Sequence, residues 1–299
     1  MNKGIVYAAG AYICWGLLPL FWKALQHVPA LEILAHRMVW SLLLVLLVLT
    51  YQRHWRWFKN LFQQPRIVLT FLASALLLSL NWFIYIWAVN AGFVVDASLG
   101  YFINPFVNVV LGVLFLKERL RFWQGIALLV AACGVLYLTV SYNAVPWIAL
   151  TLAVSFGLYG LLRKTAALNS LEGLSLETLL LFLPALGYLV VQEWAGRGAF
   201  GDVAWPTNLL LIFSGAATAV PLLLFAAGAR RISLTSLGIL QYIAPSLQFG
   251  LGVLVFHEAL TMARMIGFGL IWLALLLYTL EGVALGRSGA RMANATGKT

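Results

Sequence analysis

The sequence predicts an all-α polytopic membrane protein with ten transmembrane helices in two inverted five-helix repeats. Three observations lead to this fold class: an apolar composition, ten apolar stretches of membrane-spanning length, and motifs that recur about 140 residues apart. Apolar residues make up 63% of the 299 residues and charged residues 9%, whereas a soluble domain carries about a quarter charged residues. This composition excludes a soluble enzyme or a soluble binding domain.

The ten apolar stretches each have about the 20 residues that an α-helix needs to cross a bilayer. Only short connections remain, so any site must lie between helices or just beneath the membrane surface. The first stretch exceeds a signal-peptide core and lacks a clear small-x-small cleavage site, which predicts a retained helix. The predicted spans are residues 4–25, 34–51, 67–90, 95–116, 122–141, 145–163, 173–193, 207–228, 234–256 and 264–285.

The basic residues predict how these spans are oriented. With the N-terminus in the cytoplasm, all but four of the 19 Lys and Arg residues face inward, as multi-pass membrane proteins require. The four that face outward are Lys23, Arg37, Arg197 and Arg264. This distribution explains the net charge of +10 without a nucleic-acid partner. The predicted partner is the lipid bilayer that surrounds the helices. The same distribution predicts that both termini are cytoplasmic.

One sequence motif occurs twice, as LGVLFLKE at 111–118 and LGVLVFHE at 251–258. A five-helix unit crosses the membrane an odd number of times, so its second copy must enter from the opposite side. Basic residues follow the first copy of the motif and are missing after the second copy, as this inversion predicts. The predicted units are residues 1–143 and 144–286, followed by a disordered cytoplasmic tail at 287–299.

The repeat contains one irregularity. The Ser-Leu-Gly motifs at Ser98 and Ser236 are 138 residues apart, while Pro105 and Pro245 after them are 140 apart. Two extra residues would rotate a helix by about 200°. Either one motif match is fortuitous, or the helix before one proline is locally irregular.

Polar and aromatic side chains inside the spans predict a substrate site. Intramembrane polar residues are costly and are candidates for function, and here they concentrate in the third, fourth and ninth spans. Amides can also hydrogen-bond one helix to another, so cavity lining and helix joining both remain open. Aromatic faces and amides together favour a small amphipathic ligand. The predicted substrate-binding residues are Trp15, Asn81, Trp82, Tyr85, Tyr101, Asn104, Tyr159, Gln241 and Tyr242.

Glu32, His36 and Arg37 lie at the outer start of the second span and are the candidates for a gate or for coupling. A purely structural Glu32–His36 pair is the alternative. All nine carboxylates fall within about two turns of a span end, which favours facilitated diffusion or exchange over proton antiport. We expect Glu118 and Glu258 to act structurally, each capping the helix that follows it.

The sequence offers no support for catalysis. It contains no HExxH, P-loop, GxSxG or CxxC motif, so we predict no catalytic residue, no metal and no cofactor. Cys14 and Cys133 fall in apolar spans, where a free thiol packs as a small hydrophobe. The rival of a different class is a membrane enzyme acting on a lipid-linked substrate, for which only Glu32 with His36 approaches the required cluster. A sensory or scaffolding membrane protein is a further alternative.

Motifs along nearly the whole chain are shared with one transporter family. They are Glu32-Ile-Leu-Ala-His36-Arg37 with Trp40-Ser41, Asn81-Trp82, Trp87-Ala-Val-Asn90, Ser98-Leu-Gly-Tyr-Phe-Ile-Asn-Pro105, Lys117-Glu118-Arg119, Tyr159-Gly160 with Arg163-Lys164, Glu177-Thr178, and Gln241-Tyr242-Ile243 before Pro245. In these the chain resembles the RarD branch of the EamA-type drug/metabolite transporter superfamily. The resemblance implies a bacterial inner-membrane permease and an association with chloramphenicol.

The predicted function is therefore export or equilibration of a small amphipathic molecule by alternating access. Related superfamily members move amino acids, nucleotide sugars, other metabolites or cationic drugs. A cationic-drug exporter would be expected to use a membrane carboxylate, so a neutral or zwitterionic compound fits better, such as an amino acid or a chloramphenicol-like drug. A facilitator or exchanger is preferred, and a proton-coupled antiporter is the alternative. Ten helices can enclose a pathway in one chain, so a monomer suffices and a homodimer stays open.

Overall fold

The computed structural model describes residues 2–25, 27–59, 61, 64–90, 94–142, 147–201, 205–255, 262, 265–267, 269–270 and 272–281. This part of the chain is helical and contains no strand. A C-terminal helical segment includes residues 272–281. The bounded helices are α1 (Lys3–Ala24), α2 (Ala30–Tyr51), α3 (Arg56–Lys59), α4 (Pro65–Asn90), α5 (Val94–Leu116), α6 (Phe122–Tyr142), α7 (Trp147–Thr165), α8 (Ser170–Trp194), α9 (Trp205–Ala229), α10 (Leu234–Gln241) and α11 (Ile243–Leu254).

The protein is an all-α polytopic membrane protein, as the composition predicts. Within the described residues, five helices are long and apolar enough to cross a membrane: α1, α2, α4, α8 and α9. Shorter apolar helical stretches occur in α5, in α6 and in the C-terminal segment. Large apolar side chains such as Leu47, Leu114 and Leu183 remain exposed on the bundle, which is the surface that a bilayer would cover.

The ninth predicted span is interrupted. Helix α10 ends at Gln241 and α11 begins at Ile243, with Tyr242 between them donating its N–H to Ile239 O at 3.2 Å. Pro245 lies one turn further on, and a proline cannot donate to the carbonyl four residues before it. The interruption falls in the copy that carries two extra residues between its Ser-Leu-Gly motif and its proline, so the helix before Pro245 is the irregular one.

The two halves pack on one another with a twofold pattern. Helix α1 packs on α9 and on the α10–α11 pair, and α7 packs on α4 and on α5. These pairings exchange when the first half is exchanged with the second. Helices α2 and α8 pack together, and so do α5 and α10, which are the pairs that such an axis would relate to themselves. This arrangement is that of two inverted repeats.

One end of the bundle, where α1 begins and α7 ends, carries Arg163, Lys164, Arg230 and Arg231; we call it the basic end. Lys164 Nζ donates to Ala229 O at 3.1 Å, and Arg230 Nη1 donates to Ala166 O at 3.0 Å. These hydrogen bonds fasten the end of α9 to the end of α7.

Glu118 is structural, but it does not cap the helix that follows it. Its carboxylate accepts hydrogen bonds from Leu234 N at 2.7 Å and Thr235 N at 3.1 Å, at the first turn of α10 in the other half. The unpaired N–H groups of a helix start favour an anionic acceptor. The contact therefore joins the two halves at the basic end. Glu258 and the tail at 287–299 lie outside the described residues.

A glycine contact between α2 and α9 positions the residues described below. A Cβ added at Gly215 would lie 2.5 Å from the carbonyl carbon of Trp40, so only glycine permits this approach. Ser41 Oγ donates to Gly215 O at 3.1 Å across the same contact. The crossing brings Arg37 of α2 within hydrogen-bonding distance of Thr218 of α9.

Candidate substrate-binding cavity

A cavity of about 130 Å³ lies between helices of both halves. Its wall on α1 runs from Tyr12 to Trp22, so it extends from the middle of the bundle toward the end opposite the basic end. The lining residues are Tyr12, Trp15, Leu18, Pro19, Trp22, Arg37, Asn81, Trp82, Tyr85, Tyr101, Phe156, Leu222, Gln241, Ala244, Pro245 and Gln248.

The structure brings six of the nine predicted substrate-binding residues to this wall: Trp15, Asn81, Trp82, Tyr85, Tyr101 and Gln241. The other three lie behind it. Asn104 donates to Ala153 O at 2.6 Å, and the Tyr242 hydroxyl donates to Phe102 O at 3.3 Å. Tyr159 is fully buried beneath the aromatic floor.

The intramembrane amides serve two purposes at once. Asn81 Nδ2 donates to Leu152 O at 2.8 Å and to Ser155 Oγ at 2.9 Å, which joins α4 to α7. Asn108 Nδ2 donates to Gln241 Oε1 at 3.2 Å, which joins α5 to α10. Because Asn81 and Gln241 also line the cavity, each joins two helices and contributes to the wall.

A cluster of packed aromatic rings forms the floor of the cavity. Trp15 packs against Phe156 and Phe225, with ring centroids 5.6 and 5.5 Å apart. Tyr159 stacks on Phe225 from below at 5.9 Å. The floor therefore offers apolar ring faces from both halves, since Trp15 belongs to α1 and Phe156 to α7.

Arg37 is the charged residue of the lining. Its guanidinium carbon lies 4.7 Å from the ring centroid of Trp22 and 4.7 Å from that of Trp82, so both indoles contact the cation through their ring faces. Its Nε donates to Thr218 Oγ1 at 2.7 Å. Within the described part of the chain, no carboxylate forms an ion pair with Arg37.

The other two gate candidates lie apart from this cavity, in a pocket beside Trp40 and Phe200. Glu32 Oε1 accepts a hydrogen bond from Ala199 N at 2.5 Å and lies 4.0 Å from His36 Nε2. The Trp40 indole donates to His36 Nδ1 at 3.3 Å. Glu32 therefore holds the loop before α9 against α2.

A second buried polar cluster near the basic end was not among the predicted site residues. Arg163 and Glu177, 2% and 0% exposed, form an ion pair with 3.7 Å between Nη1 and Oε1. Ser74 Oγ donates to Glu177 Oε1, and Arg163 Nη2 donates to Ser170 O at 2.9 Å. A Cβ at Gly173 would lie 1.9 Å from Arg163 Nη1, so glycine makes room for the guanidinium.

The cluster also holds polar atoms that lack a hydrogen-bond partner among the described residues: the Tyr159 hydroxyl, Nε and Nη1 of Arg163, and Oε2 of Glu177. The sequence signal was present in the motifs Arg163-Lys164 and Glu177-Thr178. These motifs did not predict a buried site, because each residue lies near a span end, where charged residues are common. In the described part of the chain, no group of three or more His, Cys, Asp or Glu side chains could hold a metal ion.

Known proteins resemble this chain in sequence and in fold. The EamA-like transporter family matches residues 2–140. An uncharacterized transporter, YojE, from Bacillus subtilis is 48% identical over 94% of this chain and 95% of its own length. Protein RarD from Streptomyces exfoliatus is 48% identical over 97% of this chain and 93% of its own. A solved crystal structure, 19% identical, aligns with a TM-score of 0.67 over 93% of this chain and 97% of that one, which shows the same fold. The chain belongs to the RarD-type permeases of the EamA transporter superfamily.

Proposed function

We propose that this permease moves a small amphipathic neutral or zwitterionic metabolite by alternating access, as a facilitator or exchanger and not as an enzyme. The carrying observation is the cavity, whose wall combines α1, α2, α4 and α5 of the first half with α7, α9, α10 and α11 of the second. A site at the interface of inverted repeats can be exposed to either side when one half rocks against the other.

In this conformation, contacts between the halves close the basic end. Glu118 of the first half binds the start of α10, and Ser74 of the first half binds Glu177 of the second. Opening the cavity toward the basic end requires these contacts to separate. The cavity itself extends toward the opposite end, so this conformation belongs to the half of the cycle in which the basic end is closed.

The basic end would face the cytoplasm of a bacterial inner membrane, with both termini on that side. This orientation is supported by Arg163, Lys164, Arg230 and Arg231, because positive charge accumulates on cytoplasmic loops. The cavity would then receive or release its ligand on the periplasmic side in this conformation. The units of the transport cycle would be residues 1–143 and 144–286.

The cavity volume favours a metabolite over a larger drug. About 130 Å³ is below the roughly 300–1,000 Å³ of pockets that hold drug-sized ligands. A compound of the size of a small amino acid therefore fits this conformation better than a chloramphenicol-like compound does.

Proton-coupled antiport is the second candidate, and Glu177 is the observation that favours it. This carboxylate is fully buried within α8, and buried carboxylates in membrane helices often carry protons. The membrane-enzyme alternative has less support. The closest His–acid pair of the described residues is His54 with Glu172 at 2.7 Å, and Glu172 also forms the capping box of α8 with Asn169.

Flux into proteoliposomes tests the proposal. A panel of L-amino acids and chloramphenicol would be tested with and without an imposed proton gradient. We expect saturable flux without the gradient. Ala244 lines the cavity, so Ala244→Trp would fill the cavity with an indole ring, and we expect it to abolish this flux. Ala73→Trp is the matched control, because Ala73 lies exposed on α4.

Three outcomes would decide between the proposed function and its alternatives. Flux that needs the gradient would favour the proton-coupled candidate. Flux that is unchanged in Ala244→Trp would place the pathway elsewhere. No saturable flux of any compound would reject transport of this substrate class.

A further inference from the structure

We infer that Arg37 binds the carboxylate of the transported molecule, so that the substrate is a small organic monocarboxylate with an apolar or aromatic body. This inference rests on the proposed function, because it assigns the ligand of the same cavity. It adds the residue that selects the ligand and the charged group that the ligand must carry.

The first step is the geometry around the guanidinium. An arginine carries five N–H donors in a planar fork. The rings of Trp22 and Trp82 each lie 4.7 Å from the guanidinium carbon of Arg37, and Thr218 accepts from Nε. Among the described residues no acceptor pairs with the terminal amino groups of Arg37, so they remain as donors for a further acceptor. They are the part of an arginine that binds a carboxylate with two parallel hydrogen bonds.

The second step is the charge balance. A charge inside a membrane protein is expected to be paired or to face a functional cavity. Arg37 lines the cavity, and the described lining residues include no Asp or Glu. Glu32, one turn and a residue away on α2, accepts from Ala199 and lies in the other pocket. Because no carboxylate of the described residues balances Arg37, the inferred counter-charge comes with the ligand.

The third step concerns the rest of the ligand. The wall also offers the rings of Tyr85 and Tyr101, whose centroids are 5.9 Å apart, and the floor offers Trp15 and Phe156. With no acidic group among the described wall residues, nothing there requires an ammonium group on the ligand. A zwitterion can be accepted through ring faces and amide oxygens, and a simple monoanion can occupy the same carboxylate site, which extends the neutral or zwitterionic class of the proposed function.

The contacts of Arg37 also prepare it for a planar anion. Two indole rings and the hydrogen bond to Thr218 limit the movement of the guanidinium, so less conformational freedom is lost when a carboxylate binds. A lysine at this position would keep the charge but lose the fork and the stacking. The arrangement therefore selects for geometry as well as for charge.

The test compares matched ligands on matched variants. The probes are L-amino acids, their N-acetyl derivatives, which are monoanions, their primary amides, which lack the carboxylate, and chloramphenicol. Flux into proteoliposomes and ligand-induced thermal stabilisation in detergent would be measured for wild type, Arg37→Gln, Arg37→Lys and the control Arg197→Gln. Arg197 is exposed near the same end of the bundle and lies outside the cavity.

We expect free or N-acetylated amino acids to bind wild type and Arg197→Gln at least about tenfold more tightly than the corresponding amides, as loss of one charge-assisted hydrogen-bonded pair implies. Arg37→Gln should abolish this preference, and Arg37→Lys should retain only part of it. Binding of chloramphenicol, which has no carboxylate, should change less than threefold in Arg37→Gln.

Amides that bind as tightly as the acids, or a preference that survives in Arg37→Gln, would overturn the inference while leaving transport intact. If no probe shows flux but acids still stabilise wild type and not Arg37→Gln, the carboxylate site stands and the transport proposal fails. If no acid binds at all, the carboxylate assignment is wrong.

Discussion

Two arginines inside the bundle have opposite surroundings. Arg163, near the basic end, is 2% exposed, pairs with Glu177 and lies 5.4 Å from the centroid of the Phe71 ring. Arg37, in the other half of the bundle, is half-buried, borders the cavity beside two indoles and has no ion-pair partner among the described carboxylates. One arginine has its counter-charge inside the protein, and the other faces the place where a ligand would bring one.

The inverted repeat explains how two such regions arise. Trp15 and Phe156 are 141 residues apart, and so are Trp22 and Arg163, and His36 and Glu177. The first pair keeps an aromatic ring in both copies, whereas Trp22 corresponds to the cation Arg163 and His36 corresponds to the carboxylate Glu177. The two copies therefore differ in charge at these equivalent positions. One end of the bundle holds a buried ion pair, and the other holds an arginine that no described carboxylate balances.

The largest expected effect comes from breaking the Arg163–Glu177 pair. Glu177→Ala should lower the free energy of unfolding by about 3–5 kcal/mol, because it leaves a buried, uncompensated cation. Arg163→Met should cost a similar amount. The measurement is unfolding by sodium dodecyl sulfate in mixed micelles, followed by circular dichroism.

The double variant Arg163→Met with Glu177→Leu is the control for this prediction. Replacement of both members of a buried ion pair by apolar residues is often neutral, so the double variant should recover most of the loss. Single variants that unfold like wild type would show that the pair is not a lock. The two arginines would then no longer differ in this respect.

The next effect concerns the hydroxyl group beside each charge. Ser74→Ala removes the donor to Glu177 and should cost about 1–2 kcal/mol, since a hydrogen bond to a charged group is lost in a dry site. Thr218→Val removes the acceptor from Arg37 and should cost less than about 1 kcal/mol, because Arg37 borders a cavity. Equal losses in the same unfolding assay would contradict the contrast between a closed and an open surrounding.

The spans and most of the cavity wall follow from the sequence, whereas the contacts of charged residues near the span ends do not. The apolar stretches predict the spans, because span length is set by the bilayer and not by the partner helices. Asn81, Trp82, Tyr85 and Gln241 were found as wall residues because intramembrane polarity is rare. Asn104, Tyr159 and Tyr242 lie behind the wall, since successive helix positions point about 100° apart and a part of a turn separates a lining position from a buried one.

The charged cluster near the basic end shows a different limit. Arg163 and Glu177 are 14 residues apart on two helices. Each lies close to the end of a predicted span, where charged residues are usually exposed, so the sequence did not indicate that they are buried. Whether such a residue reaches headgroups or turns inward depends on the neighbouring helix, here on the absence of a side chain at Gly173. Glu118 is similar, because its partner lies in the other half. Tertiary packing decides these cases.

An effect of similar size is expected from the aromatic faces. The coupling free energy between Arg37 and Trp22, from the cycle of Arg37→Met and Trp22→Leu, should be about 1–2 kcal/mol, because the rings are the main stabilising groups for that charge. The coupling between Arg163 and Phe71 should be about 0.5 kcal/mol, since Glu177 already balances the cation. The double-mutant cycles separate the cation–π coupling free energy from the effect of the side-chain volume that each substitution removes. A stronger coupling at Phe71 than at Trp22 would argue against the contrast.

The smallest expected change is that of Arg37→Met on the unliganded protein. Because no carboxylate of the described chain balances Arg37, removing its charge should leave the free energy of unfolding within about 0.5 kcal/mol of wild type or raise it, whereas Arg163→Met should lower it by several kcal/mol. The difference between the two variants should become smaller when a carboxylate ligand is added. A ligand at about 100 times its Kd stabilises wild type by about 2.7 kcal/mol and should give Arg37→Met almost nothing. If Arg37→Met is instead as unstable as Arg163→Met without ligand, Arg37 has a counter-charge within the protein, and both arginines are structural.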